Sequence, residues 1–548
     1  MSKPIPDIVR TILAGRGMTD EQDIKRFLNP SYDDHLHDPF LLTEMEPAVA
    51  RILQAAANCE KVVIYGDYDI DGITASAIMI EGLRPHGIEA TSYIPDRFEE
   101  GYGINQAALA QLKEQRTDLV ISVDCGITSV QEAAWARDNG LDLIITDHHA
   151  VPEIIPQAVA VINPKRPGDG YPFKDLCGAG VAFKLVQALQ QKTGVPALGQ
   201  EKWLLDLVAL GTVCDIVTLV DENRVLVTYG LKVMRRTRRP GLRALANVGG
   251  IDIAAVTSQN LGFVLGPRMN AAGRLEHAAR SVELMLTNDP ARALTIAEEL
   301  DQLNAERRAT QAVVVREAGL QAEQRSSDPV LVLADASWSH GIVGIVASKL
   351  VEQWQRPVLV AQIMGEVTKG SARSTGGYNM VEALRSCSGL LTKFGGHYFA
   401  AGYTLPTDRL PQFRDALSAY FNTSGAGQVQ VPPRTVDARM DGLDQATSEL
   451  VTYLGMLEPF GAANPEPVFE FSGTSVTEVR AIGKEATHLK LSLRDDGGNV
   501  LGAIGFGLKA KFPDLKAGRR ITAYGRLGTN EWQGRTSLQL AVTDLRYE

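Results

Sequence analysis

The sequence predicts an α/β protein of several bodies: a parallel-sheet domain, a long connecting helix, a smaller α/β domain and a C-terminal β-barrel. Three observations predict it. Between about residues 60 and 165, five Val- and Ile-rich runs, "KVVIY", "EATSYI", "DLVISV", "DLIIT" and "AVAVI", alternate with helix-like segments, as parallel βαβ units do. From Ser281 to Gln324 the helical periodicity has no breaker after Pro290, so the stretch reads as one helix joining two bodies. From Pro467 onward, five strand-like runs with Gly turns and one helical interruption at "LKAKFPDL" suit a small barrel of the OB type.

Taken in order, the expected parts are an N-terminal helical segment (1–50), a catalytic sheet domain (51–280), the connecting helix (281–326), the smaller domain (327–428) and the barrel (429–548). Within the sheet domain, "GINQAALAQLKEQ" and "SVQEAAWARDNG" are amphipathic, and the second ends on Gly140 as a helix C-cap would. The smaller domain opens on "PVLVLAD" and carries the Gly-rich turns "GSARSTGG" and "FGGHYFAAG".

Composition narrows the class. The 548 residues are 45% hydrophobic and 22% charged, ordinary for a soluble chain of several domains. Five scattered cysteines (Cys59, Cys125, Cys177, Cys214, Cys387) form no CxxC pair, which argues against disulfide and zinc frameworks and for a reducing, cytoplasmic setting. No apolar run approaches the ~20 residues of a membrane span. The net charge of −10 lacks the basic footprint of many nucleic-acid binders, although "LKVMRRTRRPGLR" is locally basic; its simplest reading is a solvated helix end.

The chemistry gathers where strands end. In open parallel sheets, ligands bind beyond the carboxyl ends of the strands. "GDYDIDG" places Asp67, Asp69 and Asp71 there, "SVDCG" adds Asp124, and "TDHH" adds Asp147, His148 and His149. Any one of these acids has a turn-chemistry explanation, but three strands ending alike do not. So many carboxylates repel one another unless a cation joins them. A calcium loop is excluded, because its twelfth position is Ile78 where a Glu is needed. Carboxylates mixed with imidazole favour Mn²⁺ or Mg²⁺, and two such ions about 4 Å apart suit attack of water on a phosphoryl group. The adjacent His148 and His149 cannot easily point the same way, so one can bind metal while the other faces substrate, with simple solvation on a surface turn as the alternative. Asp215, interrupting the apolar run "ALGTVCDIV", is a further candidate ligand, with an N-cap as the alternative.

"DYDIDG", "SVDCG", "TDHH" and "ALGTVCD", in this order, resemble the four motifs of the DHH phosphoesterase superfamily. The blocks "RFLNP", "GPRMNAAGR", "GSARS", "GGHYFAAG" and "EPFGAANPEPVF" are similar to those of its single-strand-specific exonucleases. The resemblance implies a DHH-type sheet domain and a DHH-associated domain. It also implies 5′ to 3′ hydrolysis of single-stranded DNA to mononucleotides by two divalent ions, in recombination and repair. Asp69, Asp71, Asp124, His148 and Asp215 would hold the metals, Asp124 as the bridge and Asp67 within reach, and His149 would face the scissile phosphate. Arg97, Arg274, Ser371, Arg373 and His397 would contact phosphates. In the barrel, Tyr524 and Trp532 would offer stacking platforms and Arg526 and Arg535 a backbone track; Phe471 reads as barrel core. "SWSHGIVG" departs from the usual Trp-His order, which leaves His340 without an expected role. The resemblance further implies a monomer, with a single-strand DNA-binding protein and a RecQ-type helicase as partners. A phosphodiesterase of cyclic dinucleotides or short RNAs needs neither the long connector nor the barrel, and a non-catalytic scaffold need not keep a full ligand set.

Overall fold

The structure is a computed structural model that describes residues 5–97, 100–101, 103–275, 278–424, 436–532 and 534–548. The chain divides into two compact units, Met1–Pro95 with Glu100–Gly266 and Arg434–Glu548, and Asp96–Glu99 with Pro267–Pro433.

The first unit contains a five-stranded parallel sheet of β1 (Val62–Gly66), β2 (Thr91–Tyr93), β3 (Leu119–Val123), β4 (Asp142–Thr146) and β5 (Ala160–Ile162), in the order β2-β1-β3-β4-β5. That order reverses between β1 and β3, the crevice where doubly wound sheets bind ligands. Continuous burial along β1 and β3 explains why both read as unbroken apolar runs. One face packs on helices Gln106–Glu114 and Val130–Asp138, where Val63, Tyr65, Val120 and Ile145 meet Leu109, Leu112, Ala133 and Ala136. Helix Ile70–Leu83 is mainly apolar and buried along nearly its whole length, packed against helices Gly178–Thr193 and Leu205–Cys214. Registers Gly66↔Val123 and Val123↔Thr146 align three strand ends in one row. The next residues of these strands are Asp67, Asp124 and Asp147.

The second unit holds helices Ala279–Leu286 and Pro290–Gln324 and a mixed sheet. Its strands are β6 (Leu331–Asp335), β7 (Val358–Met364), β8 (Val367–Arg373), β9 (Lys393–Gly396) and β10 (Ala400–Pro406), ordered β6-β7-β8-β10-β9. The connecting helix begins at Pro290 and not near Ser281, because Asp289 caps it and proline takes its first position. Val314, Ala318 and Ala322 on that helix pack with Trp338, Ile342 and Val346, so the Trp of "SWSH" is a core residue.

Also in the first unit, β11 (Ala438–Met440) flanks a closed barrel of β12 (Phe469–Ile482), β13 (His488–Arg494), β14 (Val500–Gly505), β15 (Arg520–Trp532) and β16 (Arg535–Tyr547), sealed by the β12–β15 pairing. Phe471 lies in its core. The segment expected as a separate N-terminal part is divided: helices Asp7–Gly15 and Glu21–Leu28 send Val9, Ile12, Leu13, Ile24 and Phe27 into the barrel's core, whereas Met45–Asn58 packs against helix Gly178–Thr193 and β5. Most of the basic run is a solvated helix end, with Lys232, Arg235, Arg236 and Arg238 exposed at the end of helix Asp221–Met234, whereas the Arg239 guanidinium is held between Glu81 and Asp206 and Arg238 lies over the Trp203 ring at 3.9 Å. Among the described residues no helix is long and apolar enough to cross a membrane.

Candidate functional site

Strand register builds the site. Asp67 and Asp124 follow their strands directly and are buried. Asp124 takes φ 60°, a left-handed conformation uncommon outside glycine and a mark of functional positions. Asp69 caps helix Ile70–Leu83, one oxygen accepting from the amides of Asp71 (2.9 Å) and Gly72 (3.2 Å), so turn chemistry is part of its role. Asp71 accepts from the amides of Gly178 (2.6 Å) and Ala179 (2.8 Å) at the start of another helix. His148 Nε2 lies 3.1 Å from Asp124, 3.6 Å from Asp215 and 3.7 Å from Asp71. Asp215 is not an N-cap; it ends helix Leu205–Cys214, where a negative charge opposes the helix dipole and so needs another reason to be there. A Cβ at Gly178 would come within 2.5 Å of Asp124 Cβ, so glycine is required for this approach.

Asp67, Asp69 and Asp124 form one group whose ligand atoms could converge on an ion, and Asp71, His148 and Asp215 form another; the two abut at the Asp124–His148 contact. The set fits divalent cations on its own evidence. Asp124 Oδ1 and both His148 ring nitrogens are buried and, beyond the 3.1 Å approach of Oδ1 to Nε2, have no hydrogen-bond partner. Burial, then the charges of Asp71, Asp69, Asp67 and Asp215, pushes Asp124 well above the carboxylate range. Burial with Asp71 and Asp69 raises Asp215 to about 9, and burial with Asp69 raises Asp71 to about 6. Burial, helped by the charge on His149, lowers His148 to about 3, leaving a neutral ring suited to coordination.

Asp147, set on the rim by the "TDHH" run but given no role there by the sequence, acquires one in the structure. It is fully buried and accepts from the amides of Ile127, His148 and His149 and from His149 Nδ1 at 2.7 Å. Burial alone would lower His149, but the Asp147 hydrogen bond and charge, with Asp215 and Asp67, bring it to about 9. The two histidine rings are 4.4 Å apart and tilted by 54°.

The second unit contains a cationic cluster. Lys369, Ser371 and Arg373 alternate along one face of β8, beneath the first turns of helix His340–Trp354, where Gly344 leaves room for Ser371 and Arg373. Arg274 donates to the Gly341 carbonyl at 3.1 Å. Burial, then Lys369 and Arg97, lowers His340 to about 4, so His340, which carried no sequence expectation, stands among the predicted phosphate contacts. His397 is on an exposed turn, its amide donating to the carbonyl of Ala400 (2.7 Å), the register partner of Arg373, and it is followed by the paired Tyr398 and Phe399 rings. Of the barrel candidates, Tyr524 is corrected: it is 6% exposed and cannot present its ring to a base. Arg535 is exposed, Arg526 pairs with Glu466 at 3.3 Å, and the side chain of Trp532 lies outside the described residues.

The parallel sheet with acids and paired histidines on its carboxyl rim defines a DHH-type metal-dependent phosphoesterase. The DHH family, N-terminal domain, matches residues 61–212, the DHHA1 domain 327–423 and the RecJ OB domain 436–544. A single-stranded-DNA-specific exonuclease RecJ from Bacillus subtilis is 40% identical over 98% of this chain and 68% of its own length; one from Dickeya dadantii is 36% identical over 99% and 96%. The crystal structure of RecJ from Thermus thermophilus in complex with Mn²⁺ superposes with a TM-score of 0.84 at 31% identity, covering 99% of this chain and 76% of that one. The Mg²⁺ complex gives 0.78 at 29%, covering 99% and 75%. The chain belongs to the RecJ family.

Proposed function

We propose that the protein hydrolyses single-stranded DNA from the 5′ end, releasing mononucleotides, in DNA recombination and repair. The observation that carries this reading is the pair of abutting ligand groups on the rim of the parallel sheet, in a chain of the RecJ family. Asp69, Asp71, Asp124, His148 and Asp215, joined by Asp67, would hold two divalent ions, Mn²⁺ or Mg²⁺. Bound there, the ions supply an activated water and neutralise charge on the phosphoryl oxygens. The chain's own residues do the rest. Asp147, ionised and accepting from Nδ1, fixes the His149 ring and keeps it protonated at neutral pH, so that Nε2 carries a proton for the leaving oxygen. Arg97, Arg274, Ser371 and Arg373, with Lys369 and His340 beside them, bind the 5′ end and its phosphates. The free cysteines suit a reducing cytoplasm. A single-strand DNA-binding protein and a RecQ-type helicase are the partners expected of a monomer with this role.

Digestion of end-labelled single strands with Mn²⁺ or Mg²⁺ tests the reading. The 5′ label is expected to leave first, as a mononucleotide. Earlier loss of the 3′ label, or faster breakdown of duplex DNA or cyclic dinucleotides, overturns it.

A further inference from the structure

The block "EPFGAANPEPVF" has no role in the metal centre, and the structure gives it one. Its loop, the turn following Asp215 and the turn Ser258–Phe263 enclose a cavity of about 390 Å³ within the first unit, closed on one side by Arg526 of the barrel. The three segments are tied together by Leu219 N to Ala462 O (2.9 Å), Ser258 Oγ to Phe460 O (2.8 Å) and Gln259 Nε2 to Glu466 (3.1 Å).

Two side chains on its lining are anomalous. Ile216, the residue after Asp215, has φ 61°, where a β-branched residue is a genuine outlier, yet it is 75% exposed, so no packing offsets the strain. Phe263 is 81% exposed on a π-helical turn, Leu261–Leu265, a backbone form frequent at functional sites. A strained apolar side chain and a bare aromatic ring, both turned to solvent beside a metal ligand, cost the free protein and gain only when something apolar and flat covers them. Charge decides between the parts of a nucleotide. Arg526 is paired with Glu466, so the pocket does not attract phosphate, and its lining of Val213, Ile216, Leu219, Phe263, Phe460 and Pro465 is mainly apolar, which suits a base.

We infer that this pocket holds one nucleobase of the single strand, next to the phosphate cleaved at the metal centre, stacked on Phe263 and Ile216. The inference rests on the exonuclease reading. Stacking on an aromatic ring tolerates every base, as digestion of any sequence requires.

The test uses 5′-phosphorylated oligonucleotides with a single abasic site moved stepwise from the 5′ end. Binding to the full-length protein is measured in EDTA by fluorescence anisotropy. One abasic position is expected to weaken wild-type binding about tenfold, within the usual range for base–aromatic stacking. Phe263→Ala should weaken the intact strand by a similar factor and become indifferent to the abasic site at that position. Ile216→Gly should also weaken binding while raising the melting temperature, because glycine accepts the left-handed φ. Unchanged affinity in Phe263→Ala, or abasic and protein effects that simply multiply, overturns the inference and leaves an apolar protein segment as the occupant. Mn²⁺-dependent hydrolysis of the intact strand by wild type is followed in parallel. Loss of both binding and hydrolysis there overturns the exonuclease reading itself, whereas multiplicative effects with hydrolysis intact sink only the pocket.

Discussion

Replacing Asp215 by Asn should stabilise the metal-free protein while removing its response to metal. An aspartate ordinarily titrates near 3.9, and burial with the charges of Asp71 and Asp69 raises Asp215 to about 9 in the fold. Between those values the folded form binds more protons than the unfolded chain, so stability falls as pH rises from about 4 and the loss is complete above about 9. At pH 7 a lone group shifted in this way costs about 4 kcal/mol, at about 1.4 kcal/mol per pH unit. Asp71 and Asp124 share the same repulsion, so the expected gain from Asp215→Asn is about 1–3 kcal/mol. Removing a charge from the end of helix Leu205–Cys214 acts in the same direction. In saturating Mn²⁺ the order should invert, since a ligand at about 1,000 times its dissociation constant stabilises wild type by about 4.1 kcal/mol, more than the gain of the variant, which has lost a ligand atom. Urea unfolding midpoints in EDTA and in Mn²⁺, from pH 5 to 9, measure both effects. A variant less stable than wild type in EDTA at pH 8, or an equal Mn²⁺ response in both proteins, would refute the reasoning.

Asp147→Asn should lower kcat by about 10²- to 10⁴-fold with little change in KM, as in other Asp–His pairs whose orienting acid is lost. Its alkaline limb should move to lower pH, since the proton that His149 holds up to about 9 depends on Asp147. Gly178→Ala, whose new methyl would press on Asp124 Cβ at 2.5 Å, should weaken Mn²⁺ affinity about 10- to 100-fold by calorimetry. Arg373→Gln should abolish any preference for 5′-phosphorylated over 5′-hydroxyl strands in competition binding, leaving the melting temperature close to that of wild type.

The metal centre was legible in the sequence because parallel strands aligned in register must deliver the residues after them to one rim, and those residues are acids and histidines. The partners of the ligands were not legible. Nothing local links Asp71 to the amides of Gly178 and Ala179, which only helix packing brings together. Asp147 was visible, but its duty to His149 depends on a side-chain rotamer. Tyr524 was misread because alternation along β15 sends Ile521, Ala523 and Leu527 into the barrel core and Tyr524 to the opposite face, and nothing local in the sequence tells that this face is also covered. The break before the connecting helix was present in "NDP", with Asp289 and Pro290 forming a cap and first turn.

The first two helices finish their core with strands made at the other end of the chain. During synthesis Val9, Ile12 and Phe27 therefore emerge long before any surface exists to cover them, while Pro267–Pro433, contiguous in sequence apart from Asp96–Glu99, can collapse early. The barrel is then the last stitch of the fold and not a detachable module. Cutting it away bares an oily helical face at the opposite terminus, so a shortened protein that loses activity would report aggregation before it reported anything about DNA.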